Sequence, residues 1–260
     1  KEKTLPKRKG LDFQLNVWEG DTERKYDVFY HLAWAGSAGV ERKDGFLQAE
    51  NIRNTLEALA LAKKLGCHTF IFAGSIMEEE VEAAKKAGLP PKGTDCYALA
   101  KTAAGNLSRA LAKEWGIRHV TGRITNTFGV GEKSNRLICR LMDAWQKGEV
   151  PPLTAGEQMY DFLYVTDAAR AFVAMGEKGA DGKTYIIGSG KPHPLRNWLE
   201  EAMEVTGGRG DFGEIPFSGV SLTKSDFDTS ELEQDTGFCC RVPFAEGIGR
   251  LWHWRKEGRL

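Results

Sequence analysis

Tyr97 and Lys101 stand four residues apart in the stretch TDCYALAKTAA, residues 94–104. At that spacing two side chains share one face of a helix, a turn apart. The pair has two readings. One is an ordinary amphipathic turn, with a packed ring and a lysine whose stem lies along apolar surface. The other is a proton-transfer pair. A phenol has a pKa of about 10 and is a poor base at neutral pH, but a nearby ammonium favours its ionised form. A phenol tuned in this way takes or gives the proton of a substrate hydroxyl. Ser75 adds a third group. It ends the apolar stretch CHTFIFAGS, where its hydroxyl would hold the same substrate oxygen.

The elements around these residues follow from pattern. Val28, Phe29, Tyr30 and Leu32 form an apolar run that ends in Ala33, Ala35 and Gly36, as a buried strand entering a tight loop does. Ile52, Leu56, Leu59 and Ala62 recur at helical spacing, with Lys63 and Lys64 in the last turn and Gly66 as a stop. CHTFIFAGS is a second buried strand, MEEEVEAAKKAGLPPKG a polar and partly helical connection with Glu78, Glu79 and Glu80 on a solvated face, and YALAKTAAGNLSRALAKEWG a helix. IRHVTGRITNTFGVG is a strand followed by a turn-rich loop. Strand, helix, strand, helix, strand is the signature of an α/β fold with a parallel sheet covered on both faces. In such a sheet ligands bind beyond the carboxyl ends of the strands. Here those ends are Ala33-Trp34-Ala35-Gly36, Ala73-Gly74-Ser75 and Thr125-Asn126.

The later third reads as a smaller lobe. NRLICRLMDAWQKGE, PLRNWLEEAMEVTG and FAEGIGRLWHWRKEG are helical, and GKTYIIGSG is one more strand. A short strand in QMYDFLY precedes a helix that starts near Asp167, whose carboxylate is placed as an N-cap. Trp198, Trp252 and Trp254 are expected in packing roles. Charge is balanced at 36 basic and 36 acidic residues, so no global field draws nucleic acid or a membrane surface. The basic start KEKTLPKRKG reads as a solvated chain end. Cys67, Cys96, Cys139, Cys239 and Cys240 contain no C-x-x-C pair, which argues against a metal site and for a reduced, cytoplasmic protein. No apolar run of about 18 residues or signal-peptide pattern is present.

Five segments together resemble the extended short-chain dehydrogenase/reductases, in the branch of NAD-dependent nucleotide-sugar epimerases and dehydratases. YDVFYHLAWAG is similar to the family's D-x-V-x-H-x-A-A strand, NIRNTLEALALAKKLGCHTFIFAGS to its N-x-x-G-T helix and Ser/Thr strand, and YALAK to Y-x-x-x-K. GRITNTFGVG is similar to L-R-x-x-N-x-x-G and YDFLYVTDAARA to R-D-F-x-x-V-x-D-x-A-x-A. The resemblance implies a Rossmann-type doubly wound sheet with a C-terminal α/β substrate lobe, residues 1–130 forming the dinucleotide-binding domain and 131–260 mainly the lobe, with strands returning to the sheet. It implies Ser75, Tyr97 and Lys101 as catalytic trio. Leu32, Ala33, Trp34, Asn51, Tyr97, Lys101 and Thr125 would contact NAD or NADP, NAD being favoured. Ser75 and Asn126 would contact a nucleotide-sugar substrate. Asn51 and Asn126 also read as backbone caps or bridges. A homodimer is expected through the helices near residues 44–66 and 97–115.

Departures from the family pattern matter. The G-x-x-G-x-x-G turn that cradles a pyrophosphate is absent, and residues 1–25 are too few for a first βαβ unit, which takes roughly 30 residues. An upstream segment is therefore expected to be missing. WEGD, with Asp21, resembles the family's E-G-D. Tyr160 stands where the family often has a phosphate-binding arginine; Arg123, Arg136 and Arg140 are candidate substitutes. Ile76 and Met77 stand where 4,6-dehydratases carry Asp and Glu, and neither moves a proton. The leading expectation is an epimerase working through a 4-keto sugar with Tyr97 as acid/base. The alternatives are an NADPH-dependent 4-ketoreductase and a non-catalytic binding or scaffold protein.

Overall fold

The computed structural model describes residues 25–258. Asp21 lies outside them, as does nearly all of the segment expected to lack a first βαβ unit. β1 (Val28–His31) leaves through a 3-10 turn at Gly39–Lys43 into α1 (Gly45–Lys64). Asp44 caps α1: its carboxylate accepts the N–H groups of Phe46 and Leu47 at 3.0 and 3.1 Å, satisfying donors that the first turn leaves without partners. β2 (Thr69–Ser75), α2 (Met77–Lys86), α3 (Cys96–Glu114), β3 (Arg118–Ile124), β4 (Asn126–Phe128) and α4 (Leu137–Gln146) follow. Next come β5 (Pro152–Leu153), β6 (Met159–Tyr160), β7 (Phe162–Tyr164), α5 (Val165–Lys178), β8 (Thr184–Ile187) and β9 (His193–Pro194). The order ends with α6 (Leu195–Thr206), β10 (Asp211–Phe212), α7 (Ser230–Thr236) and α8 (Phe244–Lys256).

The main sheet runs β1-β2-β3-β8, with every pair parallel. β8 is contributed by the later third of the chain, and β1 stands at the edge, paired only with β2 among the described residues. The period of two along β2 divides its side chains between two cores. Phe70 and Phe72 face α1 and α3, packing with Ala58, Leu59, Ala62, Ala104 and Ala112. Ile71 and Ala73 face α5, packing with Val120, Ala171, Met175 and Ile187. Gly122 on β3 lets that second core close: a β-carbon there would stand 2.5 Å from Ile187 Cδ1 and 3.0 Å from Met175 Cε. A third core joins β7 to α4, α6 and α8, where the rings of Trp198 and Phe244 meet edge to face with centroids 4.7 Å apart. Trp198 is buried there, and Trp252 and Trp254 pack against its margin. Among the described residues no helix is long and apolar enough to cross a membrane.

Asp167 is not the N-cap of its helix. α5 begins two residues earlier, at Val165, with Tyr164 in the cap position. The Asp167 carboxylate instead turns toward the segment before α8. It accepts the N–H groups of Arg241 and Val242, both at 2.8 Å, and the Cys240 thiol at 3.0 Å, and it pairs with Arg170. Burial raises its pKa, but those donors outweigh burial and hold it below the ordinary carboxylate value. Asp167→Asn is expected to cost about 1–3 kcal/mol in urea unfolding at pH 7, because backbone donors lose a charged acceptor. A carboxylate whose folded pKa is depressed stabilises the fold above its unfolded pKa, and that contribution disappears as pH falls through the folded value. The gap between wild type and variant should therefore narrow on acidification.

Candidate active site

Two elements, β2 and α3, bring the sequence-derived trio together at the carboxyl end of the sheet. Ser75 closes β2; its N–H donates to Glu78 Oε1 at 2.8 Å and its Oγ accepts the Met77 N–H at 3.3 Å. Tyr97 sits in the first turn of α3 and is 7 % exposed. Burial raises its pKa; the Ser75 hydroxyl, and after it the guanidinium of Arg42, pull it down, with a smaller pull from Arg136. Lys101, one turn further on, is 4 % exposed. Its Nζ donates to Ala73 O at 2.7 Å and lies 3.9 Å from the centroid of the Trp34 ring, against 5.9 Å from that of Tyr97. The ammonium is thus turned toward the sheet and the indole. Burial lowers its pKa to about 7, with Glu78 opposing the shift.

The loop after β1 forms a ledge beside this trio. Leu32 is 55 % exposed, Ala33 is exposed and Trp34 half-buried. Two buried amides on α1 fix the loop's course. Asn51 accepts the Ala35 N–H and donates to the Ala35 carbonyl, each at 2.9 Å, so its amide bridges backbone. Gln48 donates to Gly36 O and Glu41 O and accepts the Trp34 indole N–H at 2.8 Å. Gly36 adopts φ +63°, and a β-carbon there would meet Leu47 Cδ2 at 2.7 Å. For the dinucleotide implied by the resemblance, the ledge offers the exposed Leu32 and Ala33 beside the phenol. Lys101 fits it only in part, because its donors point inward beneath Trp34.

A cleft of about 410 Å³ opens beside Ser75, lined among others by Arg42, Glu80, Thr125, Asn126, Arg136 and Tyr160. Thr125 N–H donates to Ile187 O at 3.0 Å. Asn126 uses both its backbone N–H and its side-chain amide on the Asp161 carbonyl, at 3.1 and 3.2 Å, which again is a backbone bridge. Asp161 is fully buried; its carboxyl is pushed up to about 6 by burial, against the Ser189 hydroxyl and N–H. A larger cavity of about 490 Å³, between the loop after β8 and the starts of α6 and α8, contains none of the trio. Of the trio only Ser75 lines the smaller cleft; the site is assigned there because Arg42, Glu80, Arg136 and Tyr160 converge beside that serine.

The acidic run at the start of α2 corrects the sequence reading. Glu78 is 4 % exposed rather than on a solvated face: it sits between the Ser75 N–H and Arg123, 3.2 Å from the guanidinium. Glu80 lines the cleft, where burial raises its pKa and Arg42 lowers it. Of the candidate arginines, Arg123 is committed to Glu78 and Glu79, and Arg140 is exposed on α4. Arg136 lines the cleft and donates to Thr127 O at 3.0 Å. Arg42, Gln48 and Glu80 were missed. A loop arginine and an acidic run carry no spacing signal, whereas Gln48, three residues before Asn51, had the helical spacing to be noticed.

Lys101 gives a sign-definite prediction. Its folded pKa of about 7 lies below the ordinary lysine value, so between the two the unfolded chain binds more protons and stability rises with pH. Lys101→Met removes that dependence. Its melting temperature relative to wild type should be highest at pH 6 and fall steadily by pH 9, as thermal melts in matched buffers would read.

The model of the NAD dependent epimerase/dehydratase family matches residues 19–188. A dTDP-glucose 4,6-dehydratase of Streptomyces niveus is 28 % identical over 168 residues, covering 63 % of this chain and 49 % of that protein. The Escherichia coli enzyme of the same name is 27 % identical, covering 61 % and 47 %. The chain thus spans about half the length of these curated relatives. Among solved structures, UDP-N-acetylglucosamine 4-epimerase from Methanobrevibacter ruminantium, in complex with UDP-N-acetylmuramic acid, superposes with a TM-score of 0.75 at 21 % identity, over 93 % of this chain and 81 % of that one. RMD from Pseudomonas aeruginosa, complexed with NADPH, gives 0.73 at 21 % identity, over 90 % and 82 %. The family match takes in β1, α1, β2, the Tyr97 helix, β3 and β8, well over half of the sequence, and the chain therefore belongs to the NAD dependent epimerase/dehydratase family.

Proposed function

We propose that this chain carries the acid/base half of an NAD(P)-dependent enzyme that interconverts nucleotide-activated sugars by transient oxidation at C4, with epimerisation as the favoured outcome. The observation that carries the reading is the Tyr97 phenol, buried beside the Ser75 hydroxyl at the mouth of the sheet. When bound, the nicotinamide supplies the hydride acceptor and donor; Leu32, Ala33 and the Tyr97 side of the ledge are assigned to it, and NAD is favoured because epimerisation regenerates the cofactor in place. Ser75 fixes the sugar oxygen by a hydrogen bond. Tyr97 takes the proton of that hydroxyl as its carbon is oxidised and returns it on reduction. Arg136 is assigned to the substrate diphosphate, in place of the arginine that Tyr160 replaces; a planar guanidinium suits that task. Asn51 and Asn126 are assigned to holding the ledge and the cleft wall. A cleft of about 410 Å³ lies in the size range of small-molecule sites. A homodimer through α1 and α3 is in keeping with the half-exposed Leu99 and Leu107 on α3.

A second reading has one observation in its favour. Ile76 is buried against Leu222 and Phe227, and Met77 Sδ accepts from Arg42, so neither moves a proton. Glu80 is a carboxyl with a raised pKa in the cleft wall. It would supply the acid/base group of a water elimination at a position different from that of the dehydratases.

Tyr97→Phe should lower turnover of a responsive sugar nucleotide by about 10²-fold or more and leave NAD(H) affinity nearly unchanged. UDP- and dTDP-linked glucose, glucuronate and N-acetylglucosamine, followed by chromatography of the products, form the assay. Retained turnover in Tyr97→Phe would refute the acid/base assignment. Glu80→Gln divides the two readings: epimer formation survives the change, whereas elimination to a dehydrated keto sugar does not.

A further inference from the structure

We infer that Trp34 is the positioning residue of the site: its indole face holds the Lys101 ammonium at the sheet end, beside Tyr97. The inference rests on the acid/base reading of Tyr97 and adds to it a residue that acts through Lys101. A lysine carries three N–H donors and no acceptor. One donor of Lys101 goes to Ala73 O at 2.7 Å, and among the described residues Nζ has no other hydrogen-bond acceptor and no ion pair. What faces it otherwise is aromatic. Nζ lies 3.9 Å from the centroid of the Trp34 ring, 5.1 Å from that of Phe72 and 5.9 Å from that of Tyr97. A cation gains most over an indole, and more where water is excluded. Trp34 is therefore both the nearest and the strongest of the three faces.

The indole is fixed for that task. Its N–H donates to Gln48 Oε1 at 2.8 Å, and its ring meets those of Phe72 and Tyr97 edge-on, with centroids 6.4 and 6.0 Å away. Gln48 in turn donates to Gly36 O and Glu41 O, both at 3.1 Å, so the loop after β1 carries the ring to the lysine. The titratable groups around Lys101 come from several elements. Glu78 on α2 favours the ammonium. His31, ending β1, is kept neutral by burial and by Lys101 itself. Tyr97 shares α3 with the lysine, and Arg42, in the 3-10 turn, faces the Tyr97 ring. A π face stabilises the ammonium and not the amine, so Trp34 keeps the proton on Lys101 to a higher pH. An ammonium near a phenol favours phenolate. Trp34 thus widens, through the lysine, the pH range in which Tyr97 has that support.

The test reads the lysine directly and needs no substrate. The full chain is labelled with 13Cε-lysine and titrated by NMR from pH 5 to pH 9, the Lys101 signal being assigned by its loss in Lys101→Met. Trp34→Leu keeps an apolar cover and removes the π face. It should move the Lys101 transition to lower pH, by about 1 pH unit, and Trp34→Phe should move it less. If Trp34→Leu melts too early to be titrated, as circular dichroism would show, 5-fluorotryptophan incorporated throughout the otherwise unaltered chain replaces it. Fluorine withdraws π-density and leaves the ring in place, so the transition should again move down. An unmoved or raised Lys101 transition in Trp34→Leu, or in the fluorinated chain that replaces it, overturns the inference, since an indole that only excludes water gives that result. Retained turnover in Tyr97→Phe strikes the acid/base reading alone, so the two failures are told apart.

Discussion

A buried ammonium organises the carboxyl end of this sheet. An enclosed charge is costly unless it is hydrogen-bonded and faced by opposite charge or π-density. Lys101 meets that requirement with one carbonyl, Ala73 O, the face of Trp34 and, further off, Phe72. Ala73 and Phe72 belong to β2 and Trp34 to the loop after β1, so solvating one ion fixes α3 against β2 and the loop after β1 against both. The His31 ring, at the end of β1, is kept neutral by burial and by Lys101, its pKa lowered to about 4, and it stacks on Phe70 and Phe72. A site assembled this way depends on the length of the lysine stem and the flatness of the indole together.

Charge is sorted in two layers around Tyr97. Behind it, Glu78 joins the Ser75 N–H to Arg123, which also reaches Glu79. Gly74 makes room for that carboxylate, since a β-carbon there would stand 2.7 Å from Glu78 Oε1. In front, Arg42, Arg136 and Glu80 line the open cleft. The rear layer satisfies its charges internally and holds the strand end, while the front layer faces the space where chemistry takes place. The two share a short helix, α2, whose first turn supplies Glu78 and Glu79 to the rear layer and Glu80 to the front.

Most of the scaffold was legible because its cores are periodic. Phe70, Ile71, Phe72 and Ala73 alternate between two helix layers, which a continuous apolar run in a parallel sheet implies. The meeting of Ser75, Tyr97 and Lys101 followed from the rule that ligand sites gather at strand ends. What failed to be read depended on contacts between distant segments. Three successive glutamates look like a solvated face, and only the placement of β3 beside β2 reveals that Glu78 meets Arg123. Asp167 has the type of an N-cap, yet it serves residues more than 70 positions away. Arg42 has no periodic signature; its place over Tyr97 is set by a 3-10 turn and two buried amides.

The position of β1 has a consequence for how the molecule behaves in company. Among the described residues its backbone is laddered to β2 alone, and a parallel strand turns half of its amide and carbonyl groups away from its one neighbour. An edge of that kind is adhesive toward any extended peptide. A strand that docks there in parallel ends beside Leu32 and Ala33, so growth of the sheet and shaping of the ledge are the same event.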